Sequence, residues 1–99
     1  MKNEIYIMLT KGSDEQFCIG GVFKTFEEAE KAMKEHNDSQ IALECGEESF
    51  SYIDEHRFEM LLIPGFVINP KDIMRHTTLT ISNGSQVSKT DRYIIKQTL

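Results

Sequence analysis

The chain has no tryptophan, and only two prolines and two cysteines among its 99 residues. With so little proline, and no run rich in glycine or serine, a polyproline segment or a flexible linker is excluded. No internal repeat is visible. Cys18 and Cys45 are too few and too widely spaced for a CxxC or CxxxH zinc pattern. No apolar run approaches the ~20 residues a membrane-spanning helix needs. The opening Ile5-Tyr6-Ile7-Met8-Leu9 is too short for the apolar core of an export signal, and Glu4 stands in front of it. The expectation is a cytoplasmic protein that avoids membranes and keeps both thiols reduced.

What is present describes a folded chain. A hydrophobic content of 39% and a charged content of 27% are ordinary for a globular protein and argue against disorder. The length suits one domain spanning 1–99. Net charge is −5, unevenly spread: residues 1–60 carry 14 acids and 6 bases, residues 61–99 only 2 acids and 5 bases. Such asymmetry fits contact with partners or between copies, or simply solvated charge.

The pattern predicts an α+β fold, with one main helix on a small mixed or antiparallel sheet. Residues 4–10 alternate as a strand with apolar residues on both faces, the mark of a strand covered on two sides. A second strand follows from Gln16 to Phe23, where Gly20-Gly21 suggests a bulge or a close approach. Thr25-Phe26-Glu27-Glu28 fits a capping box, opening a helix with a stripe of Phe26, Ala29 and Met33 that ends at Asn37-Asp38 with His36 near its close. Ile41 to Cys45 reads as a short strand. Alternation resumes from Ser49 to Ile63 through Phe50, Tyr52, His56, Phe58 and Met60, with a break near Asp54-Glu55, and Pro64-Gly65 punctuates.

Asn69-Pro70-Lys71-Asp72 places a cap before a proline at the first helical position, predicting a helical turn that takes in Ile73 and Met74. Thr77 to Ser82 is β-branched and alternating, and Asn83-Gly84 is the pair a two-residue hairpin turn prefers. The return strand carries Val87 and then, after an interruption at Lys89-Thr90-Asp91, Tyr93, Ile94 and Ile95. The order is β-β-α-β-β, a turn, then β-β. One helix covers one face of such a sheet, so the other face calls for the C-terminal segment or the second copy of a homodimer.

For chemistry, Asp54 and His56 stand out. Two residues apart on a strand, they share a face at roughly 7 Å, where a carboxylate and an imidazole make an oriented general base or half a metal site. A charged end to a strand explains them equally well. No P-loop, dinucleotide glycine pattern, nucleophile elbow or HExxH helix occurs. His36, His56 and His76 lack helical metal-site spacing, so neither a metal nor a cofactor is expected. Lys71, Arg75, Lys89, Arg92 and Lys96, with Tyr93 for stacking, are too sparse to resemble a dense phosphate-binding stripe.

The segment Gly20 to Met33 is similar to the strand-to-helix step of the hybrid-binding domain that precedes some ribonuclease H domains. The likeness covers about 14 of 99 residues, and the concentrated lysines and aromatics of that domain are not here. In general character a short acidic domain of this kind resembles accessory proteins of bacterial viruses, which implies a partner among host factors. The leading expectation is therefore a non-catalytic protein-binding module, with its contact surface on the terminal hairpin at Thr78, Thr80, Asn83, Gly84, Lys89, Arg92 and Tyr93. The rivals are a small hydrolase or nucleotide-handling enzyme using Asp54 and His56, and a nucleic-acid regulator using the basic tail.

Overall fold

A computed structural model of the chain describes residues 3–14, 16–57, 61–63 and 66–98. Of the expected features, Phe58, Met60 and the Pro64-Gly65 punctuation lie outside the described residues. Strands β1 (Glu4–Lys11) and β2 (Phe17–Phe23) precede helix α1 (Phe26–Glu44). Then come β3 (Phe50–His56), the short β4 (Leu61–Ile63) and β5 (Phe66–Ile68), a 3₁₀ turn (Pro70–Asp72), β6 (Ile73–Asn83) and β7 (Gln86–Thr98). Five strands form one sheet in the order β2-β1-β7-β6-β3, every pair antiparallel, while β4 and β5 pair separately. The expected α+β class with an antiparallel sheet and one helix is what the structure has.

The apolar alternation of β1 explains the layering. Met8 is buried on the helix side with Ala29, Met33 and Ile94, and Tyr6, Phe23 and Phe26 pack around them. Leu9 is buried on the opposite side with Leu61, Ile68, Tyr93 and Ile95. Both faces of the central strands are therefore covered, as expected. A cover on the second face is the β4–β5 pair, through Leu61 and Ile68, and not the C-terminal segment. The C-terminal strand β7 instead lies in the middle of the sheet.

Several boundaries differ from expectation, each for a physical reason. Residues 41–44 continue the helix instead of forming a strand, and Cys45 caps it, its N–H donating to the Ile41 carbonyl. No glycine or proline interrupts the run before Gly46. The polar residues read as a stop are occupied within the helical fold: Asp38 pairs with Lys34 one turn back, and Asn37 is buried facing the sheet. His36 consequently sits exposed within the helix, not at its close.

Thr25 does cap the helix start, accepting from the Glu28 N–H at 3.2 Å. The bulge at the glycines is present, because Met8 pairs with Gly21 and Leu9 with Ile19, leaving Gly20 as the extra residue. Asn69 caps the 3₁₀ turn by accepting from Lys71 N–H, but Ile73 and Met74 already belong to β6. The run from Ser49 breaks after His56 rather than at Asp54-Glu55.

The final hairpin turns on Gly84-Ser85, since Asn83 pairs with Gln86, and Gly84 takes a φ of 65° that a side chain would resist. Its return strand runs unbroken through Lys89-Thr90-Asp91.

Candidate functional site

On the face opposite the helix, three adjacent strands bring polar groups together where β4–β5 gives way to the β3 edge. His56 of β3 stands opposite His76 of β6, and His76 stands opposite Tyr93 of β7. Register thus lines up three rings: His76 lies 4.4 Å from His56 and stacks on Tyr93 at 4.0 Å between centroids. Two residues along the same face, Thr78 of β6 stands opposite Asp91 of β7.

Asp91 is the hub. Its Oδ1 accepts from the Thr78 hydroxyl at 2.5 Å and lies 3.0 Å from His76 Nε2. Lys11 Nζ lies 4.0 Å from its other oxygen. Because the single Thr78 hydrogen goes to Asp91, its oxygen is left to accept from His56 Nε2 at 2.8 Å. The chain of bonds therefore runs from His56 through Thr78 to Asp91, with His76 donating from the other side. Burial pushes the Asp91 carboxyl up, but the hydrogen bonds from Thr78 and His76, and the charges of His76 and Lys11, outweigh it and hold it below its ordinary value. Asp91 is thus an ionised acceptor at neutral pH, flanked by two imidazoles. Such a constellation suits holding a proton or a cation.

Asp54 shares the face of His56 but is exposed, and it stands opposite Thr78 across the ladder. The carboxylate that the bond network ties to His56 is Asp91, which local sequence spacing does not reveal.

The terminal hairpin is not an edge. Strands β6 and β7 are both interior, so Thr80, Arg92 and Tyr93 are buried, Thr78 is half-buried, and only Asn83, Gly84 and Lys89 of the expected contact residues are exposed. Asn83 is bound by the Ser49 hydroxyl. Arg92 lies under the helix, donating to Asn37 Oδ1 at 2.6 Å and Gln40 Oε1 at 2.7 Å. Burial draws its guanidinium pKa down, against the charge of Glu44. Arg75 pairs with Glu30 and Glu55. Two of the five basic residues in the tail are therefore engaged inside the molecule.

One exposed apolar surface lies beside the cluster, on β3; the other edge strand, β2, exposes Ile19 and Val22. As the last strand of the sheet, β3 carries Phe50 60% exposed, Tyr52 48% and Ile53 43%. Phe50 and Tyr52 share the face of His56, with exposed Val87 nearby through the Phe50–Ser82–Val87 register. Residues 44–57 around it hold five acids and one base. Glu44, Glu47, Glu48, Asp54 and Glu55 are all exposed.

No protein-family model matches the chain, and no curated protein or solved structure matches it significantly. Among the described residues, no helix is long and apolar enough to cross a membrane.

Proposed function

We propose that this chain is a protein-binding module that takes a basic, extended segment of a partner along the β3 edge. The observation that carries the reading is the row of Phe50, Tyr52 and Ile53 exposed on a terminal strand. Proteins normally blunt such an edge, because its outward N–H and C=O groups pair readily with another chain. A strand added there gains main-chain hydrogen bonds, while alternate side chains supply specificity. Phe50 and Tyr52 meet apolar residues of the incoming strand on one face, and Ile53 meets them on the other. The acids at 44, 47, 48 and 54 select lysine and arginine and disfavour an acidic partner. The reading places the module in a reducing compartment, for which the free thiols of Cys18 and Cys45 are the support.

A selection from random peptides tests this. Enriched sequences are expected to alternate apolar and basic residues, and the combined Tyr52→Lys and Ile53→Lys exchange should weaken their binding at least about tenfold, the loss of a hot spot. Both positions are exposed, and circular dichroism checks that the doubly exchanged chain keeps its fold. Enrichment of acidic sequences, or binding that survives the double exchange, would refute the reading.

A further inference from the structure

We propose that His56, His76 and Asp91 form a site for a divalent transition-metal ion of the zinc type. One ligand atom from each residue lies within 4.8 Å of the other two. The three come from β3, β6 and β7, neighbouring strands whose spacing is fixed by antiparallel ladders. The donor set is right for the ion: two imidazole nitrogens and one carboxylate oxygen are borderline ligands that zinc takes readily. Three protein ligands leave a fourth position for water or for a donor from a bound molecule.

The distances are close to what binding requires. Ligand atoms on a tetrahedral zinc, with bonds of 2.0–2.1 Å, stand about 3.3 Å from one another. His76 Nε2 and Asp91 Oδ1 are already 3.0 Å apart, and the ion takes the place of the proton between them, the neutral ring then carrying its N–H on Nδ1. His56 Nε2 is one hydroxyl further away, 2.8 Å from Thr78 Oγ1, and a turn of this half-buried ring at the strand end brings it in. The surroundings hold the other two ligands in place. Thr78 donates to Asp91 at 2.5 Å, and Tyr93 stacks on His76 and fixes its plane. Metal sites use such outer contacts to orient their ligands. The Lys11 ammonium, 4.0 Å from Asp91, opposes a second cation. Its removal therefore tightens binding, an effect that a purely structural cluster does not produce.

Titration of the purified full chain with Co²⁺, followed by its visible ligand-field absorption and by displacement with Zn²⁺, tests the site. One ion per chain is expected. His56→Ala and Asp91→Asn should each weaken binding by at least about tenfold. Lys11→Met should strengthen it, and the Cys18→Ser and Cys45→Ser double variant should bind as the parent does. Circular dichroism checks each fold. If Asp91→Asn fails to fold, His56→Ala, at a half-buried strand end, decides between a metal site and none. Absence of stoichiometric absorption, binding that His56→Ala leaves intact, or binding lost with the cysteines would overturn the assignment.

Discussion

Asp91 and Arg92 are adjacent in sequence, on opposite faces of β7, and each governs a different part of the molecule. The Asp91 carboxyl is held below its ordinary value, so the folded state binds its proton less readily than the unfolded chain does. Its contribution to stability is therefore complete above the ordinary carboxylate pKa of about 4 and is lost as pH falls through the lower folded-state value. Urea unfolding should show stability falling as pH drops below about 4, and Asp91→Asn should flatten part of that fall while lowering stability at pH 7. An unchanged acid profile in the variant would contradict this role. Arg92 stays cationic beneath the helix and relies on the amide oxygens of Asn37 and Gln40. Its Nε is buried without a hydrogen-bond partner among the described residues. Asn37→Leu removes one acceptor from a buried charge and should cost about 1.5–3 kcal/mol in urea unfolding. Neither role was visible in the sequence. A buried arginine looks like a surface cation until the helix face above it is known, and Asn37 looks like a helix stop until its partner is known.

At the scale of elements, signals that act through neighbouring residues were legible. The Thr25 cap, the Asn69 cap and the bulge at Gly20 each depend on a few consecutive residues, and each stands where the sequence puts it. Signals decided by tertiary contact were not. The helix runs past Asn37-Asp38 because Arg92 and Lys34 satisfy those side chains. The hairpin turns on Gly84-Ser85 rather than Asn83-Gly84, which moves the pairing by two residues. That shift keeps every side chain on its expected face but brings Asp91 opposite Thr78 in place of Lys89. The Asp91 hub was hidden for this reason, although both of its strands were foreseen. The bulge gives a further prediction. A Cβ at Gly20 would lie 2.5 Å from Met8 Cε, and Met8 is fully buried. Gly20→Ala should therefore displace Met8 and destabilise the fold by about 1–3 kcal/mol; a neutral result in thermal unfolding would show that the core yields there.

Across the whole molecule, the helix covers one face, β4–β5 covers part of the other, and the β3 edge is left with exposed aromatic and aliphatic side chains in an acidic setting. The sequence's split between an acidic front and a basic tail does not become two opposed surfaces. Arg92 is buried and Arg75 is paired with Glu30 and Glu55, whereas Glu47, Glu48 and Asp54 around β3 remain exposed. Exposed negative charge therefore lies beside β3, one of the two edge strands of the sheet. Backbone amide spectra of the isotope-labelled chain, recorded while a nine-residue peptide of alternating lysine and valine is added, test that conclusion most directly. The account predicts shifts and slowed hydrogen exchange along Phe50–His56, absent with an alternating glutamate and valine peptide. Shifts confined to other strands, or an equal response to the acidic peptide, would contradict it.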